Sequence, residues 1–224
     1  MTVFVLVPGA GGEAWYWHRL VPELERRGHT AVAVDLPGSD ETAGLAEYVD
    51  VVVAAAAGYP APVVVGQSMG ALTAVLACER LGAAGLVLLN AMTPRPGETP
   101  GEWWENTGFE QARTARAESD GRRLEDDPDL LDAFFHDVPA DVTAEAVRRG
   151  GPQQSGTPFA LPWPLDAWPD VPTRFLQGRD DRFFPLEFQQ RVVAERLGVP
   201  VEELPGGHLL ALSRPVELAD LLLR

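Results

Sequence analysis

The 224-residue sequence predicts an α/β fold: a doubly wound, mostly parallel sheet of about six strands with an inserted, mainly helical cap. Three observations carry this. Short runs rich in Val, Leu and Phe recur at both ends of the chain, apolar at successive positions, as strands covered on both faces are. Longer segments with helical apolar spacing separate them, which is the alternation a parallel sheet needs. That alternation stops near Ala91 and resumes near residue 172, so the stretch between reads as an insertion into a single domain spanning residues 1–224.

Residues 2–7 (TVFVLV) read as the first strand and 15–27 (WYWHRLVPELERR) as a helix ended by Gly28. A strand at 30–34 and a helix at about 44–57 follow. The strand 62–66 (PVVVG) runs into a helix at 69–81, and 85–89 (GLVLL) is the next strand. The cap, 92–170, has no convincing strand, many prolines, four of the six tryptophans and charged helical segments such as DPDLLDAFFHDV. A strand at 172–177, a helix at 186–197 and a strand near 199–204 come next. The last helix starts at about 214, with Ser213 placed to cap it and Pro215 where a missing N–H does no harm.

Composition narrows the function classes. Hydrophobic residues make up 46% and charged residues 23%, as in a soluble globular protein. No apolar run approaches the roughly 18 residues of a membrane helix, and the N-terminus lacks signal-peptide character. The net charge of −15 repels phosphate backbones, so no nucleic-acid partner is expected, and neutral substrates are favoured over anionic ones. Cys78 is the only cysteine; it permits no internal disulfide, fits a cytoplasmic location, and reads as a packing residue. Oligomeric state is not encoded in any pattern here.

One joint in the chain points to chemistry. In VVVGQSMGALTAVLAC, residues 63–78, Ser68 stands between a strand and a helix in the pattern G-x-S-x-G. Gly66 and Gly70 remove side chains where strand and helix backbones crowd a sharp turn. A serine hydroxyl needs a base within hydrogen-bond reach. Of the four histidines, His29 reads as solvated between helix and strand, His18 as a packing or pocket-rim residue, and His136 as structural within the insertion. His208, in LPGGHLLAL, follows the last strand on a loop, at the sheet edge where Ser68 also lies. The base needs an acid to fix its tautomer. FLQGRDDRFFP offers Asp180 and Asp181, with the spacing favouring Asp181 and Asp180 read as a loop-capping or solvated residue. Asn90, at the end of another strand, can orient an imidazole without supplying charge. Oxyanion donors are expected at the backbone N–H groups of Met69, which opens the helix after Ser68, and Ala10, in the glycine-rich loop VPGAGG. Trp103, Trp104, Phe134, Phe135, Trp163 and Trp168 are the cap aromatics that could line an apolar pocket.

Taken together, FVLVPGAGGEAWYWHRLVPELERRGHTAVAVDLPGS, GQSMG, GRDDRFFPLEFQ and PGGHLLALSRPVELADLL resemble the α/β-hydrolase superfamily. Within it the likeness is to the branch of plant methylesterases and hydroxynitrile lyases and their bacterial relatives. The resemblance implies an α/β-hydrolase fold, a Ser-His-Asp triad at Ser68, His208 and Asp181, an oxyanion hole at Ala10 and Met69, no cofactor and no metal. Three departures stand out. Pro8-Gly9 replaces the usual His-Gly after the first strand, so the oxyanion loop must be held differently. No strand pair precedes residue 2, making a shorter sheet than the eight-stranded form. Leu209 occupies the position where lyases of this branch carry lysine, which argues against cyanohydrin cleavage. The expected activity is hydrolysis of a neutral carboxylic ester or lactone through an acyl-enzyme. The alternatives are lyase, cyclase or C–C cleavage chemistry at the same site, or small-molecule binding with vestigial catalysis.

Overall fold

The sheet is six-stranded and wholly parallel, in the order β2-β1-β3-β4-β5-β6, in a computed structural model that describes residues 1–124, 130–151 and 153–224. In chain order the first half comprises β1 (Val3–Val7), α1 (Val21–Arg26), β2 (Thr30–Ala33), α2 (Leu45–Ala55), β3 (Val63–Gln67), α3 (Gly70–Leu81) and β4 (Gly85–Leu89). The stretch between β4 and β5 contains α4 (Trp103–Asn106), α5 (Phe109–Ser119), α6 (Leu131–Phe135), α7 (Ala140–Arg149) and α8 (Thr157–Ala160), with no strand among the described residues. β5 (Thr173–Gly178), α9 (Leu186–Arg196), β6 (Val201–Leu204), α10 (Leu210–Ser213) and α11 (Pro215–Leu222) close the chain.

Alternation along each strand sends neighbouring side chains to opposite faces, and the core divides accordingly. Val5, Val7, Val64, Leu86, Leu88 and Phe175 face α2, α3 and α9. Phe4, Leu6, Val65, Val87, Leu89 and Leu176 face α1, α10 and α11. From β1 the chain first steps outward to β2, then returns to place β3 on the other side of β1. Loops leaving β1 and β3 therefore diverge and leave a crevice at the C-terminal edge, the usual ligand position in such sheets.

Some expected elements differ. The helix over 15–27 is instead a 3-10 turn at Ala14–Trp17 followed by α1. Pro22 is the reason: it has no N–H to continue the helical ladder, and it sits where a new helix can begin. Ser213 does not cap the last helix. It ends α10, its Oγ has no partner, and Arg214 takes the N-cap position of α11 without a side-chain bond. Of the helical segment expected within 127–138, residues 127–129 lie outside the described residues, and α6 is the described remainder. His29 is half-buried rather than solvated, with Nδ1 accepting the Thr2 N–H at 3.2 Å. Cys78 is packed as expected: its thiol donates to the Ala74 carbonyl at 3.3 Å, and burial pushes its pKa up to about 12. No helix among the described residues is long and apolar enough to cross a membrane.

The segment between β4 and β5 is tied to α9 by a buried ion pair. Arg196, at the end of α9, donates through Nη1 to Glu98 Oε2 at 2.5 Å and through Nη2 to Oε1 at 3.1 Å. The two side chains are only 2% and 6% exposed. Asn106 Nδ2 and the Arg95 N–H also donate to the Glu98 carboxylate, at 2.8 and 3.0 Å. Burial alone would raise the Glu98 pKa, but the Arg196 hydrogen bonds, the Arg95 and Asn106 donors and the Arg196 charge outweigh it and hold it below the ordinary value. Removing one partner strands a buried charge, so Arg196→Met is expected to cost about 3–5 kcal/mol in urea unfolding. Because the folded-state pKa lies below the unfolded one, the contribution is complete above the unfolded carboxylate range and is lost as pH falls through the lowered value. Stability measured from neutral pH downward should show a shallower acid loss in Glu98→Gln than in the unsubstituted protein.

Candidate active site

Ser68 sits one residue past β3, at the crevice. Its φ is +53°, a left-handed conformation that costs an L-residue about 1–2 kcal/mol. The surroundings enforce it. Ser68 N–H donates to the Leu89 carbonyl at 3.0 Å, and the Ser68 carbonyl accepts the Met92 N–H at 3.1 Å, so the turn is pinned on both sides. α3 also packs tightly: a Cβ on Gly66 would lie 2.6 Å from Ala74 Cβ, and one on Gly70 would lie 2.7 Å from the Pro8 carbonyl carbon. Those two glycines bring strand, helix and the loop after β1 together around the serine.

Asp181 and His208 meet as the sequence predicts. The turn after β5 carries Asp181 and the loop after β6 carries His208; both residues are buried, at 0% and 1% exposed. His208 Nδ1 and Asp181 Oδ2 are 2.8 Å apart. Asp181 Oδ2 also accepts from Gln177 Nε2 at 3.2 Å, and Oδ1 accepts the N–H groups of Phe183 and Phe184 at 2.8 and 2.9 Å. With every other contact on this carboxylate an N–H donor, Nδ1 is assigned the proton and Nε2 presents its lone pair. Asp180 caps the loop, as expected: its carboxylate accepts the Gly206 N–H at 3.0 Å.

Asn90 acts differently from the expectation. It braces the backbone beneath the imidazole and leaves the ring alone. Nδ2 donates to the Gly207 and His208 carbonyls, both at 3.0 Å, while Oδ1 accepts the Gly178 N–H at 2.9 Å. Gln67, the residue before Ser68, has Nε2 3.5 Å from the same His208 carbonyl. The backbones of the serine turn and the histidine loop are thus joined by side-chain amides at one sheet edge. Ser68 Oγ makes no hydrogen bond to the ring in this structure, a distance that catalytic pairs commonly close when substrate binds.

Two amides expected to hold an oxyanion are unengaged. Neither Ala10 N–H nor Met69 N–H donates to any group among the described residues. Met69 is the N-cap of α3, a helix of 12 residues whose dipole adds positive potential there. The β1 loop reaches the serine closely enough that a Cβ on Gly9 would lie 3.1 Å from Ser68 Cβ.

The aromatics divide. Phe134, Phe183 and Phe184 surround the His208 ring, with centroids at 5.1, 5.2 and 5.2 Å. Trp104 is half-buried and lies against Phe183 at 6.1 Å. Trp103 and Trp163 are 0% and 1% exposed and pack within the core, Trp103 against Phe184 and Phe188 and Trp163 against Trp168. Phe135 belongs to the opposite core layer, beside α1 and α11. These four therefore serve packing, because large apolar rings are drawn to whatever interior is nearest. Phe183 and Phe184, in contrast, were readable as neighbours of Asp181 and were overlooked. His18 is exposed and stacked on Trp15 at 4.6 Å. His136 is half-buried with its Nε2 against Gly207; burial, then the Arg182 charge, lowers its pKa. Among the described residues, no group of three His, Cys, Asp or Glu side chains is placed to hold a metal ion.

Residues 4–221 match the alpha/beta hydrolase family. The chain belongs to that family. A rice (Oryza sativa subsp. indica) protein named "Probable esterase PIR7A" is 33% identical over 99% of this chain and 95% of its own length. A pyrethroid hydrolase of Sphingobium wenxiniae is 28% identical over 98% of this chain and 86% of its own. Among solved structures, an extracellular alpha/beta-hydrolase from a Paenibacillus species superposes with a TM-score of 0.79 at 19% identity, covering 100% of this chain and 98% of that one. In this alpha/beta hydrolase the strained serine carries a measurable cost. Ser68→Gly is expected to be more stable than Ser68→Ala by about 1 kcal/mol in chemical denaturation, since only glycine relieves the left-handed φ. Equal stability of the two variants would mean that the turn is not strained.

Proposed function

We propose that this ester-hydrolysing enzyme works as a serine esterase, with Ser68, His208 and Asp181 as its triad and a neutral carboxylic ester or lactone as substrate. The observation that carries the reading is the Asp181–His208 hydrogen bond of 2.8 Å, which leaves Nε2 as a base beside the edge where Ser68 is held in a strained turn. In the first half-reaction His208 Nε2 takes the hydroxyl proton as Ser68 Oγ attacks the carbonyl carbon. The carbonyl π electrons move onto oxygen, and the amides of Ala10 and Met69 hold that oxyanion. The tetrahedral adduct collapses, the C–O bond to the alcohol breaks, and His208 returns the proton to the departing oxygen. Water then repeats the sequence on the acyl-serine and releases the acid. Asp181 steadies the imidazolium throughout and keeps its own charge.

A neutral substrate suits the phenylalanine rings around His208 and the net charge of −15. Residues 92–170 serve in this reading as a cap over the crevice, with Phe134 and Trp104 closest to the histidine side. A single, buried cysteine is compatible with work in the cytoplasm.

The reading is tested with p-nitrophenyl acetate and a fluorophosphonate probe. Labelling and turnover should both vanish in Ser68→Ala. Labelling without turnover of any simple ester would turn the assignment toward non-hydrolytic chemistry, and absence of both toward binding alone. Within the triad, His208→Ala is expected to lower kcat by about three orders of magnitude or more. Asp181→Ala should be severe and Asp180→Ala mild; the opposite ranking would transfer the orienting role to Asp180.

A further inference from the structure

The loop after β1 contains a lock supplied from far away in the chain. Gly9–Gly12 form a turn closed by the Gly12 N–H to the Gly9 carbonyl at 3.1 Å, with Gly11 at φ +87°. Positive φ at the third position is the mark of a type II turn, and glycine takes it without steric cost. The competing type I turn differs by rotation of the Ala10–Gly11 peptide plane, and glycine at position 11 can adopt either. A hydrogen bond on that plane therefore decides its direction. Gly11 N–H has such a bond: it donates to Gln154 Oε1 at 2.9 Å, across 143 positions of sequence.

Gln154 is itself held from behind. Its Nε2 donates to Tyr48 Oη at 3.2 Å and to the Ser155 carbonyl at 3.0 Å. Tyr48 is 1% exposed, and its hydroxyl donates onward to the Pro37 carbonyl at 3.4 Å. Ser155 N–H donates to the Gly38 carbonyl at 2.8 Å. The glutamine side chain thus arrives at the loop with little freedom left, and it belongs to the segment between β4 and β5. With Gly11 N–H taken by Gln154 and Gly12 N–H by Gly9, the amide left over at the tip of the turn is that of Ala10.

We propose that Gln154 is a positioning residue for transition-state binding: by tethering Gly11 it anchors the turn whose preceding Gly9–Ala10 peptide carries the Ala10 N–H, holding that donor in place for the oxyanion, and it makes the oxyanion hole depend on the seating of the 92–170 segment. The inference rests on the proposed role of Ala10. An oxyanion donor contributes through being aimed in advance, so a loosened turn weakens the transition state much more than the ground state. The loop begins Pro8-Gly9, and the glutamine supplies the external tether that this glycine-rich turn needs.

Two variants test it: Gln154→Met, which keeps length but has no strong acceptor, and Tyr48→Phe, which removes the hydroxyl behind Nε2. Ser68-dependent fluorophosphonate labelling of the unsubstituted protein is measured first, and its absence would remove the esterase reading along with this one. With labelling established, Gln154→Met should lower p-nitrophenyl acetate kcat about 10- to 100-fold with KM within about threefold. Phenylboronic acid, whose adduct mimics the tetrahedral state, should bind more weakly in proportion. Tyr48→Phe should fall between Gln154→Met and the unsubstituted protein. An unchanged kcat in Gln154→Met, or a loss carried by KM with kcat and boronate affinity unchanged at similar melting temperature, would overturn the role of Gln154 and leave the triad untouched.

Discussion

A polar group removed from water needs the hydrogen-bond partners that water would have given. Asp181 finds them through a tight turn: the amides of Phe183 and Phe184 fold back on Oδ1, while Gln177 and His208 share Oδ2. Much of the remaining site follows from this. The same turn that supplies those donors presents Phe183 and Phe184 to the imidazole, so the apolar wall and the carboxylate against Nδ1 are two products of one local fold. The direction of the ring depends on this bond, and the height of its backbone depends on the Asn90 brace.

The parallel sheet explains why these parts meet. The loops after β1, β3, β5 and β6 all leave the same edge, and the reversal of strand order between β1 and β3 opens the gap between the first two. Rigid strands set the spacing; short loops supply the chemistry. Side-chain amides then stitch loop to loop. Gln67, Asn90 and Gln154 each join groups from different elements, and in Asn90 and Gln154 the amide donates and accepts at once without adding charge, whereas Gln177 uses only Nε2, on the turn that follows its own strand.

Strand positions, the sharp turn at Ser68 and the meeting of Asp181 with His208 were legible in the sequence because each rests on local pattern: apolar runs, glycines at a joint, an acid or a histidine at a strand end. The stitching amides were not. Gln154 lies 143 residues from its partner Gly11, and Asn90 lies 118 from His208, so nothing in their own neighbourhoods announces a role. Trp103 and Trp163 show a different limit, since aromatic character predicts burial without saying against what. The helix expected over 15–27 illustrates a third, where apolar spacing runs on across Pro22 while the backbone, lacking its N–H, does not.

The state of Cys78 has a practical corollary. Its thiol is enclosed on the buried face of α3 and held far from the thiolate form that reacts with alkylating reagents. The native chain therefore offers almost no background to maleimide chemistry. A cysteine introduced on the surface of the segment between β4 and β5 would be the sole reactive handle, and a fluorophore attached there would report how that segment moves relative to the sheet.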